Sequence, residues 1–288
     1  MGMQVRIELY APDEATAVAA ASAAFTEIAR LDAVFSDYLP HSEVSRLRGH
    51  SGRQQVSDEL FFVLQRATEL ARRTGGAFDP TAGALTVLWR QAIERQRLPQ
   101  RADIERAAAR SGYEKLELDD DEHAVVITAE GVRLDLGAIA KGYVLDRALA
   151  ALRGAGTDRA LVSAGGDIVV GAAPPESHAW TVRVPHLSAP GDGPRCDLFL
   201  VDAAVSTSGD HAQFIEIGGR RYSHTVDPRT GLGLTHGRTA TVVAPDGLTA
   251  DSLATALTVV GEGQMGPLLD LYPPARAILS PADCGAGP

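Results

Sequence analysis

Val132-Arg133-Leu134-Asp135-Leu136-Gly137-Ala138-Ile139-Ala140-Lys141-Gly142-Tyr143 opens the stretch that decides the fold, and Ala160-Leu161-Val162-Ser163-Ala164-Gly165-Gly166-Asp167-Ile168-Val169-Val170 closes it. Val132 to Leu136 alternates apolar with polar residues, as a short strand does, and Gly137 breaks the alternation. Leu145, Ala148, Leu149 and Leu152 then follow at helical spacing. The segment predicts a strand, a tight turn, a helix and a second strand. Backbone N–H groups at such a helix start welcome an anion, and Asp135 and Lys141 flank the turn.

The same two periodicities recur outward from this unit, so the fold class is α/β, with strands and helices layered on one another. Toward the N-terminus, Val5 to Leu9 alternates as a strand. Asp13 is placed to cap a helix reaching Phe35, with Ala24, Phe25, Ile28, Leu31 and Phe35 as its apolar stripe. Ser42 starts a short helix after a polar loop, and capping explains its hydroxyl more cheaply than a pocket shared with Tyr38 and Ser45. Ser57 to Thr74 is a second long helix, burying Leu60, Phe61, Leu64, Ala67 and Ala71 and ended by Gly75-Gly76.

Ala77-Phe78-Asp79-Pro80-Thr81 is a turn in which Pro80 fixes the backbone, and Trp89 beyond it reads as core. Residues 90–111 read as a charged linker and a surface helix. Leu116 to Leu118 and Ala124 to Thr128 form a hairpin around the acidic turn Asp119-Asp120-Asp121-Glu122.

Toward the C-terminus, Trp180 to Val184, Leu198 to Val205, Phe214 to Ile217 and Thr239 to Val243 read as strands, with residues 206–210 as a polar turn. Tyr222 to Gly231 gathers a His, hydroxyls, an Asp and an Arg within a few residues. Ala250 to Val260 is a helix on which Asp251 and Thr255, four apart, project oxygens from one face. A single domain over residues 1–280 is expected, with 281–288 a disordered tail.

Composition narrows the function. In 288 residues, 27 Lys and Arg face 37 Asp and Glu, a formal charge of −10, which disfavours a general nucleic-acid or anionic-membrane role. Cys196 and Cys284 sit in no metal-type or disulfide-type cluster. No apolar run reaches the ~18 residues of a spanning helix, and the opening Met1-Gly2-Met3-Gln4-Val5-Arg6 has no signal-type region, so a cytoplasmic protein is expected. Gly154-Ala155-Gly156 has Arg159 where a dinucleotide fingerprint needs its third glycine, and no Walker-type Gly-Lys pair occurs.

Several separated blocks together carry a resemblance. Leu134 to Tyr143, Ser163 to Asp167, Thr207 to Asp210, Ser223 to Gly231 and Ala250 to Leu257 resemble, in order and spacing, the signature blocks of the ApbE family, the FAD:protein FMN transferases. Tyr38 to Leu47 and Ala77 to Thr81 match two more. The resemblance implies an α/β fold of two related β/α halves. It implies an enzyme that cleaves FAD, attaches FMN by a phosphoester bond to a Thr or Ser of an acceptor flavoprotein, and releases AMP with Mg²⁺ as cofactor.

By the same resemblance Mg²⁺ is held by the Asp251 carboxylate, the Thr255 hydroxyl and the Ala138 carbonyl. FAD contacts fall to Ala77, Phe78, Asp79, Asp135, Lys141 and Thr225, and Met1 aligns with a flavin-contacting methionine. His224 is the candidate general base, since the acceptor hydroxyl must lose a proton as it attacks phosphorus. An FAD pyrophosphatase using water as acceptor, a non-enzymatic flavin carrier and a purely structural α/β partner protein are the alternatives.

Overall fold

In the computed structural model, which describes residues 3–184, 196–209 and 214–280, the chain begins with β1 (Val5–Leu9) and α1 (Glu14–Phe35). The cap expected at Asp13 is present, its Oδ1 accepting the Thr16 N–H at 2.7 Å. Ala24, Leu31 and Phe35 are buried as expected, whereas Phe25 is 47% exposed. Next come α2 (Glu43–Arg46), β2 (Gly52–Gln55), α3 (Asp58–Arg73), α4 (Gly83–Glu94) and α5 (Arg101–Ala108). The five positions expected on the buried face of α3 are all buried. In place of a linker directly after Trp89, α4 runs on to Glu94, because Trp89 and Ala92 bury the same side of that helix.

β3 (Leu116–Asp119) and β4 (Ala124–Ile127) form the expected hairpin and make a three-stranded sheet with β2. α6 (Ala140–Gly154) follows, then β5 (Ala160–Ala164), β6 (Asp167–Val170), β7 (Trp180–Val184), β8 (Cys196–Leu200), β9 (Ala203–Gly209), β10 (Phe214–Ile217) and β11 (Arg220–Ser223). The chain ends with β12 (Val226–Asp227), β13 (Leu232–Gly233), β14 (Thr239–Ala244), α7 (Gly247–Val260), α8 (Glu262–Leu269) and β15 (Arg276–Ser280).

The centre is a six-stranded sheet of order β1-β5-β6-β9-β14-β15, with each pair antiparallel. One face is covered by α6 and α7, which pack against each other, with α1 lying on α6. Val162, Val169, Ala204 and Val242 point into this layer. The other face, carrying Val170 and Val205, is covered by the β7–β8 ribbon through Trp180, Val182 and Leu200. Strand alternation therefore decides which side chains meet the helices. No helix among the described residues is long and apolar enough to cross a membrane.

Three further expectations are corrected. Val132 to Leu136 is extended and alternates in burial, but makes only an isolated bridge, Arg133 to Ala82. Its backbone bonds go to a loop: Asp135 N–H donates to Pro80 O at 2.8 Å, and Gly83 N–H to Arg133 O at 3.0 Å. Ala160 to Val170 is two strands, because Gly165 and Gly166 both adopt positive φ and close a hairpin. Residues 206–209 are not a turn but part of β9, all four paired to β14 and Ser206 also to β6; the chain bends instead at Val201-Asp202, between β8 and β9. Met1, Asp210, residues 185–195 of the Pro/Gly-rich loop and the 281–288 tail lie outside the described residues.

Candidate active site

Two glycines set the geometry. α6 and α7 approach so closely at Gly142 and Gly247 that a Cβ on Gly142 would lie 2.0 Å from the Gly247 carbonyl oxygen. The crossing brings the second turn of α7 against the first turn of α6. α6 has no side-chain cap of its own. Its Gly142 N–H, a first-turn donor with no acceptor within the helix, donates to Asp251 Oδ2 of α7 at 3.1 Å. A carboxylate is thus seated on a helix N-terminus, where its charge is favoured.

Asp251 is 2% exposed. Burial pushes its carboxyl well above the ordinary range and the nearby Asp167 charge adds to this, while Lys141 and the Gly142 N–H oppose it. Lys141 sits between the two acids: its Nζ is 3.4 Å from Asp251 Oδ1 and hydrogen-bonded to Asp167 Oδ2. Although burial disfavours a charged amine, the two carboxylates outweigh it and Lys141 is held protonated. An ion pair alone would lower Asp251 as it raises Lys141. Burial and the second carboxylate, Asp167, outweigh the ammonium here, so the acid is raised all the same.

Asp167 begins β6 directly across from Ser206 of β9, and both face the helices. The Ser206 hydroxyl donates to Asp167 Oδ1 at 2.5 Å. One turn beyond Asp251, the half-buried Thr255 donates to the Ser208 hydroxyl of β9 at 3.3 Å. Asp251 and Thr255 thus stand one helical turn apart on α7, and Ala138 lies just before α6, where the Asp251 carboxylate is seated. Among the described residues no group of three or more His, Cys, Asp or Glu side chains is placed to hold a metal, and this includes the acidic turn at Asp119 to Glu122.

The remaining predicted residues stand on two connected limbs. On the first, Asp79 Oδ1 accepts the Thr81 N–H at 2.7 Å and the Thr81 hydroxyl at 2.6 Å, and burial raises its carboxyl against those bonds. Pro80 of this loop holds the Asp135 N–H, and Asp135 Oδ1 accepts from Gly137 N–H at 3.0 Å, so Asp79, Asp135 and the start of α6 form one run. Ala77 and Phe78 are buried here. The second limb is the β11–β12 connection, where His224 is exposed and Thr225 half-buried.

The density of polar groups on that second limb is largely structural. Asp227 accepts from the Arg229 backbone and guanidinium at 2.9 Å, and Ser223 Oγ accepts the Thr225 N–H at 3.0 Å. Trp89 Nε1 donates to Ser223 O at 3.0 Å and pins the strand before His224. The Thr225 carbonyl accepts from Leu234 N–H, and Leu234 packs with Ala77 and Val259, which ties this limb to both the first limb and α7. Tyr38 and Ser42 do not share a pocket: Ser42 caps α2, and Tyr38 is 67% exposed beneath the Arg90 guanidinium.

Asp167 and Ser206 are site residues to which the sequence alone assigns no role. The one signal for them is a charged residue on the apolar parity of a strand, Asp167 sharing its face with Val169.

Comparison with known proteins places these features in company. A sequence model of the ApbE family matches residues 1–279. The FAD:protein FMN transferase of Treponema pallidum (strain Nichols) is 31% identical over 295 residues, spanning 96% of this chain and 82% of that protein. That of Klebsiella pneumoniae (strain 342) is 31% identical over 265 residues, spanning 91% and 80%. Among solved structures, the ApbE protein of Thermotoga maritima superimposes with a TM-score of 0.84 at 30% identity, covering 98% of this chain and 94% of that one. The flavin transferase ApbE of Vibrio cholerae gives 0.82 at 27% identity, covering 97% and 90%.

Proposed function

The chain belongs to the ApbE family, and on that footing we propose that it transfers the FMN half of FAD to a Thr or Ser hydroxyl of an acceptor flavoprotein, releasing AMP with the aid of Mg²⁺. The observation that carries this reading is the Asp251 carboxylate, buried on the N-terminus of α6 between Lys141 and the Gly142 N–H. A carboxylate raised by burial is costly to keep, and a bound cation that stabilises its ionised form is a physical reason for placing it there.

Asp251, Thr255 and the Ala138 carbonyl would hold Mg²⁺, which when bound supplies charge neutralisation for the diphosphate and for phosphoryl oxygens in transit. The rest falls to the chain itself. Lys141, with donors left after its bond to Asp167, offers a positive hydrogen-bonding group to a phosphate. Ala77, Phe78, Asp79, Asp135 and Thr225 bind and orient FAD from the two limbs. His224 takes the proton of the acceptor hydroxyl as its oxygen attacks the FMN-side phosphorus. The phosphorus–oxygen bond to AMP breaks, AMP carries away that electron pair, and the new phosphoester joins FMN to the acceptor. Exposure of His224 suits a base that must meet a hydroxyl on another protein.

The test is incubation with FAD, Mg²⁺ and candidate acceptor flavoproteins, following AMP release and flavin fluorescence on a denaturing gel. A fluorescent acceptor band that needs Mg²⁺ and is lost in Asp251→Ala is expected. AMP and free FMN with no labelled band across the acceptors would replace transfer by FAD hydrolysis.

A further inference from the structure

The same geometry contains a conflict. Lys141 Nζ lies 3.4 Å from an oxygen of Asp251, so a cation seated by that carboxylate would meet an ammonium at close range. Either the ammonium competes for Asp251 or something else retains it. Asp167 is built to retain it. Its carboxylate is 3% exposed, one oxygen is fixed by the Ser206 hydroxyl across the strand pair, and the other faces Lys141. Antiparallel register, not side-chain flexibility, sets that aim.

We infer that Asp167 is a positioning residue whose carboxylate keeps the Lys141 ammonium from collapsing onto Asp251, so that Asp251 retains its affinity for a divalent cation. The inference rests on the metal role proposed for Asp251. It assigns the Asp167–Ser206 pair a task distinct from holding the sheet together: the pair parks a competing charge.

Calorimetric titration of the FAD-free protein with Mg²⁺ tests it without reference to turnover, using Asp167→Asn, Lys141→Met, the double variant and Asp251→Ala. Asp167→Asn should weaken binding by roughly tenfold or more, within the range of coupling between contacting charges. In the Lys141→Met background the same substitution should change affinity by less than about threefold, because no ammonium is left to collapse. An equal loss in both backgrounds would mean that Asp167 acts through its own charge on the cation, and the inference would be overturned. Wild-type protein that binds no Mg²⁺, or binding that survives Asp251→Ala, would overturn the metal role and this inference together. Unchanged affinity in Asp167→Asn with Asp251→Ala still silent would overturn this inference alone. Should Asp167→Asn fail to fold by circular dichroism, Ser206→Ala loosens the aim of Asp167 without removing its charge. That variant should weaken Mg²⁺ binding about threefold where Lys141 is present and leave it unchanged in the Lys141→Met background. No loss where Lys141 is present, or an equal loss in both, would overturn the inference.

Discussion

Replacing Gly142 by alanine tests the contact on which the whole site depends. The added Cβ would lie 2.0 Å from the Gly247 oxygen, 2.3 Å from the Gly247 carbonyl carbon and 2.7 Å from Leu248 N, all backbone atoms of α7. Since Cβ contacts under 3.0 Å are essentially never seen, the helices must part by about 1 Å. That shift strains the bond from Gly142 N–H to Asp251 Oδ2, now 3.1 Å, and those from Gly247 and Leu248 N–H to Asp146, now 2.7 and 3.0 Å. Overpacking costs about 1–3 kcal/mol, and each buried acceptor left short of a donor costs about 1–3 kcal/mol more. Partial relaxation places the sum at roughly 3–5 kcal/mol, a fall in Tm on the order of 10 °C. Urea denaturation of Gly142→Ala beside Gly154→Ala reads it directly. Gly154 ends the same helix with nothing within 4 Å of its Cβ position, so its substitution should be neutral or stabilising by up to about 1 kcal/mol. If the stabilities of the two variants lie within about 1 kcal/mol of each other, the close crossing of α6 and α7 is wrong.

Other substitutions read different parts of the site. His224→Ala should lose transfer while FAD binding, followed by flavin fluorescence, stays within about threefold of wild type; transfer at the normal rate would remove His224 as the base. Trp89→Phe deletes the bond to Ser223 O and should cost about 1–3 kcal/mol in urea denaturation, because it leaves a buried carbonyl short of a donor. The Asp146 carboxyl is pushed up to about 7, chiefly by burial and further by Asp246 and Asp251, against the Gly247 and Leu248 N–H bonds. Its folded form therefore holds a proton that the unfolded chain releases near pH 4, and its contribution to stability is present at low pH and lost as pH rises toward 7. The stability of wild type relative to Asp146→Asn should fall by roughly 2–4 kcal/mol between about pH 4 and pH 8; a difference independent of pH would contradict the raised carboxyl.

What could be read from the sequence was what short-range physics decides. Asp13 and Ser42 cap helices because a side-chain oxygen reaches an N–H three residues on, a relation contained in a few neighbouring residues. The buried stripe of α3 follows from helical periodicity, and the β3–β4 hairpin from alternation about a polar turn. The order of the family blocks carried the family and fold class, but no distance between blocks.

Where the reading failed, the partner was remote. Val132 to Leu136 has the pattern of a strand, yet its hydrogen bonds go to the loop at Pro80 to Gly83. Ser206 and Ser208 look like turn residues, yet β6 and β14 recruit them into the sheet and aim their hydroxyls at the helices. Sequence by itself determined that Asp251 and Thr255 share a helix face and that Lys141 sits at a helix start. Only the tertiary structure decided that these face one another, with Asp167 between strand and helix. The α6–α7 crossing joins residues more than a hundred positions apart, and no local propensity encodes that meeting.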